Sequence, residues 1–238
     1  MGDNMNRLHR LMLLAGIFLC AGAAAAQTVS PVIVEYREKA RGSFQITNDL
    51  LVPMNVVVEA RSFSVDNEGK PTFRALDPEI SVELSATSFK IPPKQSYTVF
   101  YKATASKLPA WFSIYSSITG PQAGEGIKLV LELPHTVYLL TRRALPRESV
   151  VVLRADAPAG AQRIESEIEN RGAEFSRVQE VQIFSAAGKK EFPGFPLFPG
   201  QRRRLSLEWD GAAAPQKMIL KFANYQIEQT IRPQTQSP

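Results

Sequence analysis

Cysteine and histidine are nearly missing: among 238 residues there is one cysteine, Cys20, and two histidines, His9 and His135. One thiol forms no disulfide within the chain, and a Cys-based zinc site or redox pair would lack its ligands. A Ser-His-Asp triad would have to rest on His135, which stands alone beside Pro134. A hydrogen-bonded or half-exposed strand histidine accounts for it more simply. There is no Gly-rich phosphate loop to support nucleotide binding. No stretch repeats apolar residues at helical spacing over a helix length.

At the N-terminus, Arg7 and Arg10 precede an apolar core from Leu11 to Leu19, followed by the small residues Ala21 to Ala26. The order positive, apolar, small predicts an export signal over residues 1–26, with Gln27 as the first mature residue. The apolar core falls well short of the roughly 20 residues that span a bilayer, so stable membrane insertion is not expected. Cys20 follows Leu19 rather than a small residue, which argues against lipidation there. The mature chain would then contain no thiol and depend on core burial alone.

The charge is mildly basic, with 28 Lys+Arg against 23 Asp+Glu. Removing Arg7, Arg10 and Asp3 leaves 26 against 22, a net +4. The cations are spread along the chain rather than gathered on one element, so a nucleic-acid partner is not expected.

Beyond Gln27 the dominant period is two. Short runs rich in Val, Ile, Phe and Tyr are separated by Pro, Gly, Asn and Asp, which predicts an all-β sandwich architecture. Phe44 and Ile46 share one face of a strand over residues 42–47. The Val56-Val57-Val58 run lacks clean alternation and predicts burial on both faces. Asp66-Asn67-Glu68-Gly69 has turn chemistry. Leu145-Pro146-Arg147-Glu148 reads as a linker. Gln45-Ile46-Thr47-Asn48-Asp49 is echoed by Glu167-Ile168-Glu169-Asn170-Arg171, and the Pro-rich turn after Ile91 by the one after Phe198. The echo predicts two immunoglobulin-like β-sandwich domains in tandem, residues 27–144 and 145–238, each near ~100 residues.

Catalytic groupings are weak. Glu165, Glu167 and Glu169 fall on one strand face opposite Ile164 and Ile168, which reads as a solvated face rather than a carboxylate pair. Arg202-Arg203-Arg204 follows a Pro-Gly turn and reads as the solvated start of a strand. No spacing suggests a metal site, no cofactor is expected, and the chain is not read as an enzyme.

The most informative segment runs from Ile127 to Thr141. Leu129, Leu131 and Leu133 fall on one face of an unusually long strand, with Lys128, Val130 and Glu132 on the other. The leucines either face their own sandwich or are offered to another chain. Strand addition takes affinity from backbone hydrogen bonds and specificity from alternate side chains. Burying three leucines would contribute about 5–8 kcal/mol before ordering costs.

Several stretches, in order, resemble the periplasmic pilus chaperones of the PapD-like family across nearly all of the mature chain. Phe44-Gln45-Ile46-Thr47-Asn48-Asp49 is similar to the family's strand ending in Asn, and Phe89-Lys90-Ile91-Pro92-Pro93-Lys94-Gln95-Ser96 to its Pro-rich turn. Leu108-Pro109 with Trp111 to Ile118 is similar to its Leu-Pro and following strand, and Val137-Tyr138-Leu139-Leu140-Thr141-Arg142 to its first-domain closing motif. The resemblance implies a periplasmic, non-enzymatic chaperone. Leu129, Leu131 and Leu133 would complete a pilin-like subunit that lacks its last strand, and the subunit would pass to an outer-membrane usher. The family anchors the subunit's terminal carboxylate with an Arg and a Lys; their positions fall here near Ser30 to Val32 and on Tyr138. Tyr138 and Arg142 are therefore the candidates for lining the cleft. The alternative from another class is a secreted or surface-held adhesive or binding module.

Overall fold

The computed structural model describes residues 27–119, 130–158, 162–211 and 213–234. Among the described residues, ten strands form the first half. They are β1 (Thr28–Ser30), β2 (Ile33–Arg37), β3 (Lys39–Thr47), β4 (Met54–Val65), β5 (Pro71–Ala75), β6 (Ile80–Leu84), β7 (Ser88–Ile91), β8 (Ser96–Ala105), β9 (Ala110–Thr119) and β10 (Val130–Leu140). Eight follow: β11 (Val150–Pro158), β12 (Arg163–Asn170), β13 (Ser176–Ser185), β14 (Gly188–Leu197), β15 (Arg202–Glu208), β16 (Pro215–Lys221), β17 (Gln226–Thr230) and β18 (Arg232–Gln234). The first half stacks a sheet ordered β1-β3-β8-β6 on one ordered β2-β10-β9-β4-β5, with β7 also pairing β4. The second half stacks β15-β12-β11-β18 on β14-β13-β16-β17. Each half encloses its own apolar core, the first around Phe44, Ile46, Phe112 and Ile114 and the second around Ile164, Ile168, Val181 and Met218. The expected pair of β-sandwiches is what the chain forms.

The run at Val56 to Val58 corrects the sequence reading. Val56 and Val58 are sealed in the core, whereas Val57 is 54% exposed. β4 thus alternates like any half-buried strand, and its outward valine is tolerated because single exposed apolar residues are ordinary. Leu145, read as part of a linker, is buried in the second core, so this segment is docked rather than a loose tether. The glutamate row behaves as a solvated ladder across β12 and β15. Glu165 accepts from Ser206 (2.7 Å), Glu169 pairs with Arg202 (2.8 Å), and Glu167 lies 3.8 Å from Arg204. β14 escaped the sequence reading. It is an edge strand, so Pro193 and Pro196 are accommodated there. A Cβ at Gly194 would lie 1.9 Å from the Val178 carbonyl oxygen, so only glycine fits where β14 closes on β13.

The internal echo has a physical basis. Asn48 and Asn170 are both fully buried. Asn48 donates through Nδ2 to the carbonyls of Val52 (2.9 Å) and Ile91 (3.1 Å), and its Oδ1 accepts from Leu50 N–H (3.1 Å). Asn170 donates to Glu174 (2.9 Å) and Leu197 (3.4 Å) and accepts from Gly172 N–H (2.9 Å). Their backbone N–H groups donate to the carbonyls of Gln95 and Gln201, both over 2.9 Å. One amide thus closes the same corner in each sandwich, satisfying carbonyls that water does not reach. Replacing either Asn with Ala is expected to cost about 1–3 kcal/mol, read as a lowered urea midpoint, because the carbonyls lose their donor while staying buried.

Candidate strand-donating edge and the inter-domain cleft

The incoming chain changes sheets. β1 pairs antiparallel with β3; after Ser30 and Pro31 the chain crosses over, and β2 pairs in parallel with β10. The parallel register runs from Thr136↔Ile33 to Leu140↔Arg37. On its other side β10 is paired with β9 from Val130 to Leu139. Among the described residues, therefore, no strand covers the outer edge of Val130 to His135, whereas Thr136 to Leu140 are covered on both sides.

Hydrogen-bond direction sharpens this. Thr136 N–H donates to Val32 O and Glu38 N–H to Leu140 O, both over 2.7 Å. Even-numbered residues of β10 thus turn their backbone groups toward β2, and odd-numbered ones toward β9. By that alternation the uncovered edge presents the N–H groups of Val130 and Glu132 and the carbonyls of Val130, Glu132 and Pro134. Pro134, with no N–H, falls on the open side, where it costs the β9 ladder nothing. A longer β2 would find no donor at that position.

The side chains alternate in the other sense. His135, Val137 and Leu139 point into the first core and are fully buried. On the same face Leu133 is half-buried against that core, and Leu131 is 36% exposed. The apolar row thus emerges from the core as β10 leaves the cover of β2. Leu129, the third leucine of the predicted row, lies outside the described residues, as do Ile127 and Lys128. On the outward face Val130 is 48% exposed, and Glu132 accepts from Arg61 (3.3 Å) and Ser117 (3.4 Å).

His135 fixes the boundary between the covered and open segments. Burial pushes its pKa down, against a smaller opposing effect of its bond to Pro31. The neutral ring donates from Nδ1 to Pro31 O (2.6 Å) and accepts at Nε2 from the Tyr101 hydroxyl (2.9 Å). It stacks on Phe44 at 4.8 Å, and the Tyr101 hydroxyl lies 3.2 Å from that of Tyr36. The lone histidine is thus a structural clasp holding the sheet-crossing turn against β10. A hydrogen-bonded strand histidine was the expectation, but its partner was not legible, since Pro31 is 104 residues away.

Tyr138 and Arg142 separate. Tyr138 is 4% exposed and sits between the sandwiches in an aromatic cluster with Phe63, Phe175 and Phe198. Its ring centroid lies 4.7 Å from that of Phe175, and the Arg177 guanidinium lies over it at 5.3 Å. Burial raises its pKa. Arg142 is exposed and pairs with Glu38 at 3.0 Å, away from this cluster. Further contacts join the halves: Arg204 N–H donates to Asn67 O (2.7 Å), Gln201 Nε2 to Asp66 O (2.9 Å), and Arg177 Nε to Glu35 (2.8 Å).

Beside the open edge is a cavity of about 270 Å³ whose lining includes Ile33, Phe73, Pro134, Thr136, Tyr138 and Arg203. Arg203 corrects the reading of its triplet as uniformly solvated. Arg202 and Arg204 face Glu169 and Glu68 at the surface, but Arg203 turns inward over Phe195 (5.6 Å). Its Nε and Nη1 are buried without a hydrogen-bond partner, and burial lowers its pKa against the nearby Asp66 and Glu68. It lies close under Gly69 (φ 87°), where a side chain would collide with the guanidinium. Gly69→Ala is expected to lower the thermal midpoint by a few degrees through both the left-handed backbone and this clash.

No family model matches the sequence, and neither does any curated protein. Solved structures do resemble it. The class 5 fimbriae chaperone CfaA covers 88% of this chain with all of its own length, at TM-score 0.53 and 9% identity. The chaperone DraB of E. coli covers 86% with 97% of its length, at TM-score 0.51 and 13% identity. A chain from the Salmonella enterica complex of the SafA pilin with the SafB chaperone covers 88% with 98% of its length, at TM-score 0.53 and 9% identity. The fold is thus that of the fimbrial chaperones, two β-sandwiches in tandem. The likeness extends over both sandwiches, in agreement with the resemblance noted in the sequence.

Proposed function

We propose that this protein is a periplasmic chaperone that lends the open half of β10 to an incomplete β-sandwich subunit of a surface fibre and passes it to an outer-membrane usher. The observation that carries the reading is the divided edge: β2 covers Thr136 to Leu140 and leaves Val130 to His135 uncovered among the described residues. An exposed edge ladder pairs readily with another chain, and among the described residues this one is blunted by Glu132 and Pro134. Leu131 and Leu133, with Leu129 preceding them in sequence, are the side chains that enter the subunit's groove. The end of the borrowed pairing meets the cavity beside Tyr138, whereas Arg142 on the Glu38 side takes no part. The fold likeness to chaperones, one of them solved with a pilin, supports the same reading. A tagged full-length chain expressed with candidate fibre subunits in a bacterial periplasm is expected to co-purify one of them in a one-to-one complex. Recovery of the chain from the cytoplasm, or alone beside every subunit lacking a final strand, would contradict it.

A further inference from the structure

On the linker side of the molecule, a second cavity of about 160 Å³ lies between the two sandwiches. Its wall includes Glu35 and Arg37 of β2, Arg143 after β10, Arg177 of β13 and Tyr225 before β17. We propose that this cavity binds one small tetrahedral oxyanion, phosphate or sulfate, which links the two halves.

The carrying observation is a pair of stranded donors. Arg177 uses Nε on Glu35 (2.8 Å), but its Nη2 is buried with no hydrogen-bond partner. The Tyr225 hydroxyl, in the same wall, is likewise buried without a well-formed hydrogen bond, with Ser176 as its polar neighbour. Burial raises the Tyr225 pKa, so the hydroxyl keeps its proton and remains a donor. Buried donors in native proteins nearly always have an acceptor, and two on residues that line one cavity can be met by a shared one.

Charge selects the kind of acceptor. Arg37 donates Nη1 to Thr141 O (2.7 Å), and the Arg143 side chain has no partner among the described residues. Glu174 is occupied by the Thr141 hydroxyl, and Glu35 by Arg177. Three guanidinium groups therefore face two carboxylates, leaving one positive charge over. A cation is repelled, and an apolar guest leaves both donors unmet. An oxyanion offers several acceptor oxygens at once and suits the planar guanidinium fork. The volume corresponds to about five waters at ~30 Å³ each, enough for one small ion and too little for a nucleotide. Because Glu35, Arg37 and Arg143 belong to one sandwich and Arg177 and Tyr225 to the other, the ion would hold the angle between them. The inference does not depend on strand donation.

The test titrates the purified full-length chain with inorganic phosphate, and separately with chloride at matched ionic strength, following the thermal midpoint and binding heat. At phosphate about tenfold above its Kd the midpoint is expected to rise by about 3–6 °C over the chloride control. Tyr225→Phe keeps the ring and is expected to fold, yet lose most of that rise. Arg177→Lys keeps a charge for Glu35 but lacks the fork, and should weaken phosphate binding at least about tenfold. An equal rise in chloride, or variants that respond to phosphate as the unaltered chain does, would overturn the proposal and leave ordered water as the occupant.

Discussion

Leu131→Arg is expected to reduce recovery of a co-expressed client subunit at least 100-fold while the isolated chain stays folded. The site allows a clean experiment because Leu131 is already 36% exposed, so an arginine there extends into water in the free chain. In a complex the same side chain would be pressed into an apolar groove. Losing the leucine's burial removes about 1.5–3 kcal/mol, and a guanidinium without a partner in that groove adds several more. About 2.8 kcal/mol already corresponds to 100-fold, so the combined effect exceeds what most pull-downs resolve. Leu133→Arg is the poorer probe, since Leu133 packs against the chain's own core and its loss mixes folding with binding. Undiminished client recovery by a folded Leu131→Arg chain would remove Leu131 from the interface.

The second large effect concerns His135. His135→Ala leaves the Pro31 carbonyl and the Tyr101 hydroxyl without their partner and opens a space beside Phe44. Each lost partner costs about 1–3 kcal/mol, and the cavity adds to this, for a total of about 3–5 kcal/mol in a denaturant midpoint. The same residue sets a pH dependence. Its folded pKa lies below the ordinary value of 6.5, so near and below that pH the unfolded chain binds a proton the folded chain refuses. Stability from this group is complete above pH 6.5 and is lost as pH falls from there toward the folded pKa, with a limiting slope of about 1.4 kcal/mol per pH unit. The neighbouring Tyr101 hydroxyl, whose pKa burial raises, stays neutral throughout that range and adds no slope. A stability profile over pH 5–8 should show this loss in the unaltered chain, and a His135→Gln chain should lack that component. Identical profiles would contradict a buried neutral histidine.

Much of the fold is legible along the sequence because period-two alternation is local. Phe44 and Ile46, the glutamate row of β12 and the echo between the stretches holding Asn48 and Asn170 could all be read without coordinates, though the corner those asparagines close could not. What eluded the sequence depends on distance or on context. The parallel partnership of β2 with β10 joins residues about a hundred positions apart, and nothing near Ile33 announces it. β14 is hidden by its prolines and glycine, which only an edge position and a close approach to Val178 explain. Val57 shows the opposite error, because three valines in a row carry no sign of which one faces water. The leucine row was legible as a row, but its division into a covered and an uncovered part was not, since that is decided by where the crossing at Pro31 delivers β2. Arg203 could not be told from Arg202 and Arg204, since only the packing of the hairpin turn at Gly69 turns one of the three inward.

The most direct test of strand lending is residue-resolved amide hydrogen exchange on β10, with and without a bound client. In the free chain the Val130 and Glu132 amides, which face the uncovered side, should exchange quickly, while Leu131 and Leu133, bonded to β9, are protected. On complex formation the even-numbered pair should gain at least about 100-fold protection with little change in the odd-numbered pair. Even-numbered amides already protected in the free chain, or still unprotected in a stable complex, would contradict the claim that this edge is what the protein lends.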